Sequence, residues 1–290
     1  MTLSQLVLAL VVGLASGMIS YLTASGMSLI ISGMGTINFG QGAFYILGAM
    51  LCYYSVRANV PFIAALLIGF LVTAAIGALV EFLLRPVYGL DMTYSMLITM
   101  GVSYMLCDGM SFLWGNTVRA TPVPQMLNGA VRIASMNIAF PAYYVFIIVF
   151  AALIALALKL MFNKTKLGIY FRAIISDRHM VECLGINVQL LFTVMFMIGL
   201  GLGGIAGALN APISGLTPQQ GLSVFNQVFP VLLVGGLDNM DGALPAALVL
   251  GVASALAAIF IPTYYNLVPN LIMVIVMFFK PNGLFARKEG

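Results

Sequence analysis

The sequence has little charge, one histidine and few cysteines. Only 7% of its 290 residues are Asp, Glu, Lys or Arg, whereas soluble domains carry about 25%. One histidine, three widely spaced cysteines and the lack of CxxC and HExxH motifs argue against a metal site. No basic residue precedes Arg57, which argues against a signal peptide with a basic n-region. The net charge of +4 forms no basic patch of the kind that binds nucleic acid, and no cofactor motif is present.

Apolar segments fill most of the chain. Hydrophobic residues make up 62% of the sequence, and the mean hydropathy is +1.10. A membrane-spanning helix needs about 20 mostly apolar residues. Nine segments approach that length, at roughly residues 3–31, 38–56, 62–80, 92–114, 141–162, 190–211, 222–236, 243–261 and 264–279. The sequence therefore predicts an all-α, polytopic integral membrane protein with about eight to ten transmembrane helices, residues 1–290 forming a single transmembrane domain.

The basic residues predict how these segments are oriented. Lys and Arg collect on the cytoplasmic side of a bilayer. They cluster at 159–178 and 280–288, so we place both clusters inside the cell. Counting crossings from these clusters puts Arg85 inside and Arg57, Arg119 and Arg132 outside. The same count places the N-terminus outside the cell. The first apolar segment is long enough to contain a break, which would place the N-terminus inside instead.

The basic loop, residues 163–189, separates two of the apolar segments. Ser176 is a good N-cap residue, and Asp177 would then lie in the first turn of a helix, where the helix dipole favours an acid. Gly185 suits the C′ position, which commonly has a positive φ. These residues predict a helix of about two turns within the loop.

Met180, Val181 and Leu184 would share one face of this short helix. A helix of this length is not stable alone in water, so it needs a surface to lie on, which is the membrane, the protein's own spans or a partner. We expect that surface to belong to a protein partner. The alternative is that the loop rests on anionic lipid.

Two polar, glycine-containing segments, 35–43 and 235–243, resemble each other. The matched residues are 200 positions apart, Gly35, Gly42 and Ala43 with Gly235, Gly242 and Ala243, and they predict a parallel internal repeat. Irregular backbone at membrane depth must be buried in protein or line water. Candidates for a pathway lining or gate are therefore Asn38, Gln41, Gly42, Asp238 and Asp241. The alternative is that these are short loops with ordinary helix caps.

Glycine is concentrated between residues 199 and 207, in the sixth apolar segment. Small residues let membrane helices approach closely, so this run predicts tight helix packing. The alternative is that helices slide or tilt at these glycines.

Five motifs in consistent order carry a resemblance to a known family. Residues 33–42 resemble G-x-x-x-I-N-F-A-H-G. Arg172-Ala173, Asp177 and 184–187 match R-A-x4–5-D…L-G-I-N. The other three motifs are A-G-x-L at 205–209, G-G-x-G-S-x-x-G-A at 235–243 and a terminal P-x-G-L-F at 281–285. From about residue 20 onward the chain is therefore similar to permease subunits of ATP-binding-cassette importers, in the LivH-like branch of the branched-chain amino acid type.

The resemblance implies a permease in the bacterial cytoplasmic membrane. It would work with two ATPase subunits, a second homologous permease and a periplasmic substrate-binding protein. The basic loop would contact the ATPase through Arg172, Ala173, Asp177, Met180, Leu184 and Gly185. The sequence departs from the family motifs at Gly40, Gln41, Asp238-Asn239 and Asp241, which leaves the cargo open among branched-chain amino acids, other amino acids, urea and amides.

Other functions remain as alternatives. An ion-coupled carrier would place ionisable residues inside its spans, and Asp108 is the main candidate. A channel would need a ring of charged groups to select ions, and the sequence indicates none. An intramembrane hydrolase would need a nucleophile with a base, and His179 is predicted to lie on the basic loop. The chain contains no G-x-x-x-x-G-K-[ST] phosphate loop, so an ATPase would have to be a separate subunit.

Overall fold

The computed structural model describes residues 3–133, 138–237 and 239–285. Within these ranges the chain forms eleven α-helices and one hairpin. The helices are α1 (Leu3–Met34), α2 (Gln41–Arg57), α3 (Phe62–Leu84), α4 (Met92–Trp114), α5 (Ala142–Lys164), α6 (Lys166–Ser176), α7 (Arg178–Cys183), α8 (Val188–Asn210), α9 (Gly221–Gly235), α10 (Met240–Phe260) and α11 (Val268–Phe279). Strands β1 (Ala130–Ile133) and β2 (Ile138–Pro141) pair antiparallel between α4 and α5. The all-α prediction is confirmed, with this hairpin as an addition.

Each of the nine predicted apolar segments corresponds to one helix, namely α1 to α5 and α8 to α11. Six of these are long and apolar enough to span a membrane by length and composition: α1, α3, α4, α5, α8 and α10. The others are shorter, with 17 residues in α2, 15 in α9 and 12 in α11. No break interrupts α1 over its 32 residues. The chain is thus a polytopic helical membrane protein.

The core lies around α2, whose first ten residues are all buried. It packs against α3, α8 and α9, while α1 packs against α8 and α10. Glycines permit the closest approaches. A Cβ on Gly199 would lie 2.6 Å from the carbonyl oxygen of Gly26, and a Cβ on Gly48 would collide with the backbone of Gly204. The tight packing that the 199–207 run predicts is therefore confirmed.

One end of the bundle carries the residues that the sequence places outside the cell. The backbone N–H of Arg119 donates to the carbonyl of Leu216 at 3.1 Å, so the loops after α4 and α8 meet. The Arg119 guanidinium also lies 5.5 Å and 5.4 Å from the ring centroids of Tyr53 and Tyr54, close to the end of α2. Arg57 and Arg119 therefore share one end.

The opposite end gathers the residues that the sequence places inside. The backbone N–H of Leu284 donates to the carbonyl of Val234 at 2.9 Å, which brings the tail to the α9–α10 connection. Arg85, after α3, donates to Thr193 of α8 at 3.1 Å, close to the basic loop. These pairings agree with the predicted sides.

The two polar connections that resemble each other in sequence are built alike. Gly35 and Gly236 each follow a helix end with positive φ, +65° and +96°. Asn38 and Asn239 each accept, through Oδ1, the backbone N–H two residues later, at 2.9 Å and 3.1 Å. The structural match is offset by 201 residues, one more than the sequence match. A repeat extending over whole halves of the chain stays a prediction.

Candidate functional site

The basic loop contains two helices where the sequence predicts one. Thr165 caps α6 by accepting the backbone N–H of Gly168 at 3.2 Å. Asp177 caps α7 by accepting the N–H of Met180 at 3.0 Å. The predicted cap, Ser176, is instead the last residue of α6. The prediction of the cap was wrong by one residue because Ser and Asp are both strong N-caps, and α6 extends through Ser176.

Gly185 follows the end of α7 with a φ of +76°. This is the left-handed conformation predicted for a C′ glycine. A Cβ at this position would meet no atom within 4 Å, so only the backbone conformation requires glycine.

The predicted apolar face of α7 is divided between two directions. Val181 is 2% exposed and packs with Phe171 of α6 and Phe192 of α8 in an apolar cluster. Met180 and Leu184 are 59% and 71% exposed. The prediction that all three side chains share one face was wrong, since Val181 attaches α7 to the protein and the other two point away from it. The exposed pair forms an apolar surface suited to a partner.

Charged residues lie on α7 itself and on the preceding helix α6. Arg178 donates to Glu182 at 3.0 Å, and its guanidinium lies 5.1 Å from the Phe192 ring centroid. Arg172 is exposed and donates to Asn163 at 3.3 Å, while Ala173 is half-buried. Exposed ion pairs contribute little to stability, so these charges are available for specificity towards a partner.

Asn38, Gln41 and Gly42 lie in the interior. Both polar side chains are 1% exposed. Gln41 Nε2 donates to the carbonyls of Gly199 at 3.0 Å and Thr23 at 3.4 Å, and so connects α2 with α8 and α1. Its Oε1 and the Asn38 Nδ2 have no hydrogen-bond partner among the described residues. A Cβ on Gly42 would collide with the start of α9.

Asp241 is exposed in the first turn of α10 and lines a cavity of about 1220 Å³. The cavity lies between α1, α5, α6 and α10, and Lys159 and Arg172 also line it. The structure thus brings a candidate gate residue next to the basic loop. Asp238, the other acidic candidate, lies outside the described residues.

One polar cluster was missed by the sequence analysis. Glu81, near the end of α3, is 0% exposed. Its carboxylate accepts from Arg85 at 3.1–3.2 Å, from the Tyr88 hydroxyl at 2.8 Å and from the Thr193 hydroxyl of α8 at 2.8 Å. Burial, and then the hydrogen bond to Glu81, raises the pKa of Tyr88, which keeps this phenol a donor. The signal that could have found the cluster is an acid at the end of an apolar segment with an arginine four residues later.

The fold and sequence are similar to those of known proteins. A family model described as "Branched-chain amino acid transport system / permease component" matches residues 9–277. The chain is 28% identical to the "High-affinity branched-chain amino acid transport system permease protein BraD" of Pseudomonas aeruginosa, covering 97% of this chain and 95% of the relative. It is 26% identical to LivH of Escherichia coli, a protein of the same description, covering 96% of this chain and 94% of the relative.

A solved structure has a similar fold. The structure "PsaBC from Streptococcus pneumoniae in complex with Fab" contains a chain that matches with a TM-score of 0.51 and 11% identity, over 93% of this chain and 91% of that one. At this identity the match shows a shared fold alone.

Proposed function

The chain belongs to the family of branched-chain amino acid transport permeases, and from this membership we propose that it moves branched-chain or related amino acids through the membrane in an ATP-driven importer. It is a multi-pass permease subunit of the bacterial inner membrane. We propose that its partners are two ATPase subunits, a second homologous permease and a periplasmic binding protein. The ATPases supply the energy, since the chain contains no phosphate-binding loop of its own.

The observation that carries the proposal is the apolar surface on α7. Two large apolar side chains, Met180 and Leu184, face away from the protein on a helix that is held from the other side by Val181. A helix of six residues cannot fold alone, so its position is set by α6 and α8. Burying each of the two side chains in a groove of an ATPase would contribute roughly 1.5–3 kcal/mol before ordering costs. We propose that this surface is the ATPase contact.

The carrier alternative is not favoured by the position of its main candidate. Asp108 is exposed and accepts from the side chain of Gln219 at 3.2 Å. Among the described residues, the carboxylate completely buried in the bundle is that of Glu81, which is paired with Arg85. A buried acid that is already neutralised by a permanent partner is poorly suited to bind and release a coupling ion.

The cavity beside Asp241 is a proposed part of the cytoplasmic passage. Its polar side chains come from all four helices and its apolar walls mainly from α5 and α10, a lining suited to a zwitterionic solute with an apolar side chain. Asp241→Asn should lower transport while assembly and basal ATP hydrolysis remain normal. Unchanged transport per assembled complex would remove Asp241 from the passage.

The ATPase contact is tested by substituting the exposed pair. Met180→Ser and Leu184→Ser should each weaken co-purification of the ATPase by about tenfold or more, because each loses an apolar contact. Val118→Ser is the matched control, since Val118 is 68% exposed at the opposite end of the protein. If both variants bind the ATPase as tightly as the control does, α7 is not the contact.

A further inference from the structure

We propose that Glu81 is a positioning residue for energy coupling. With Arg85, Tyr88 and Thr193 it connects α3 and α8 to α7, so that the three helices move as one body. This inference rests on the proposed function, because it takes α7 as the place where the ATPase acts. The sequence motifs of the basic loop include none of these four residues.

All members of the cluster belong to this chain. The Glu81 carboxylate receives hydrogen bonds from three side chains, and Thr193 in turn accepts from Arg85 at 3.1 Å. Arg85 and Thr193 therefore restrain each other as well as the buried carboxylate. Removing one of the three donors leaves the buried carboxylate with an unpaired acceptor position. This costs free energy and strongly favours the intact arrangement.

Aromatic contacts extend the cluster to α7. The Tyr88 and Phe192 rings meet edge to face, with centroids 5.4 Å apart and planes at 78°. The Arg178 guanidinium, in the first turn of α7, lies 5.1 Å from the centroid of the same Phe192 ring. Phe192 and Thr193 are adjacent in α8, so one turn of this helix contacts both the carboxylate and α7.

Close packing carries the connection from the cluster along the membrane helices. A Cβ on Gly77 of α3 would lie 3.0 Å from Leu200 of α8, and a Cβ on Gly204 would collide with Thr73. Interfaces packed this closely transmit displacement rather than absorb it. A shift of α7 that moves the first turns of α8 is therefore passed to α3 in two ways. The Glu81 cluster transmits it at one end of α3, and the close α3–α8 packing transmits it along the two helices.

The first test compares variants of one hydroxyl. Thr193→Val keeps the shape of the side chain and removes its hydrogen bonds to Glu81 and Arg85, whereas Thr193→Ser keeps the hydroxyl. Thr73→Val is the matched control, because Thr73 is a completely buried threonine in the same α3–α8 interface, outside the cluster. In the assembled complex, Thr193→Val should raise the ATP hydrolysed per solute transported by about fivefold or more. Thr193→Ser and Thr73→Val should stay near wild type.

The second test measures position directly and does not depend on the ATPase. Spin labels on His179→Cys in α7 and Leu83→Cys in α3, both exposed positions, report their separation in a background without Cys52, Cys107 and Cys183. Adding Thr193→Val should broaden the distance distribution, and adding Thr73→Val should leave it unchanged. If Thr193→Val does not assemble, Tyr88→Phe replaces it, because it loses only the donor to Glu81.

The two tests separate this inference from the proposed function. A wild-type distance distribution in Thr193→Val overturns the inference, whatever the ATPase data show. A broadened distribution with an unchanged ratio of ATP to solute also overturns it, because the cluster would then position helices without affecting coupling. If Met180→Ser and Leu184→Ser leave ATPase binding intact, the proposed contact fails, while the distance result still decides whether Glu81 positions α7.

Discussion

Gly185 follows the end of α7 with a φ of +76°, a conformation that a β-branched residue adopts at a cost of about 1–3 kcal/mol. Gly185→Val should therefore displace α7 without a steric clash, since a Cβ there meets no atom within 4 Å. The variant should insert normally and lose stimulation of ATP hydrolysis by the binding protein. Gly185→Asn is the control, because Asn tolerates positive φ. Stimulation of the valine variant at the wild-type level would contradict the prediction.

Among the candidate pathway residues, Gln41 is the one whose hydrogen bonds bear most directly on the predicted role. Its amide donates to backbone carbonyls of α1 and α8, which favours a role in holding three helices together. Gln41→Leu should therefore lower the stability of the purified complex by about 1–3 kcal/mol, measured by thermal unfolding. Transport normalised to assembled complex should stay unchanged. The opposite result, lower transport at unchanged stability, would support the pathway role that the sequence predicted.

Single residues were predicted well where the chemistry is local. The positive φ of Gly185 follows from a glycine after a short helix, which the sequence shows directly. The choice between Ser176 and Asp177 as cap did not follow, because it depends on where α6 ends. Glu81 was missed because Tyr88 and Thr193, which hydrogen-bond its carboxylate, lie 7 and 112 positions away in the chain.

At the scale of helices, apolar length located nine of the eleven α-helices of the described residues. The sequence analysis did not separate α6 from α7. With only 11 residues and both basic and apolar side chains, α6 carries neither the length nor the composition of a span. This short helix is stabilised by packing on the rest of the protein, in the apolar cluster that contains Phe171 and Ile174. Tertiary contacts of this kind cannot be predicted from the local pattern.

Phe171 is the side chain through which α6 attaches to the bundle. It is completely buried and lies 5.7 Å, centroid to centroid, from Phe162 of α5. Phe171→Ala should cost about 3–5 kcal/mol and make the basic loop sensitive to proteolysis, because α6 and α7 lose their shared core. Tyr170→Ala, at an exposed neighbouring position, is the control and should have little effect. Equal protease resistance of both variants would show that α6 is held by other contacts.

For the whole molecule, the distribution of Lys and Arg predicted which loops share an end of the bundle, and the contacts agree. The composition of the cavity beside Asp241 could not be predicted, because its lining combines the neighbouring helices α5 and α6 with α1 and α10, which lie far from them in sequence. Sidedness follows from charge counted along the chain, whereas a cavity follows from how helices pack side by side.

The orientation in the membrane gives the last prediction, and Cys183 is a native probe of it. Cys183 is exposed on α7, whereas Cys52 and Cys107 are buried and should resist labelling. A membrane-impermeant thiol reagent should therefore leave the wild-type chain unlabelled in intact cells and label it after permeabilisation, because the basic loop faces the cytoplasm. Val118→Cys, in a background without the native cysteines, is the opposite control and should be labelled in intact cells. Labelling of Cys183 from outside would reverse the orientation and place the proposed ATPase contact on the wrong side of the membrane.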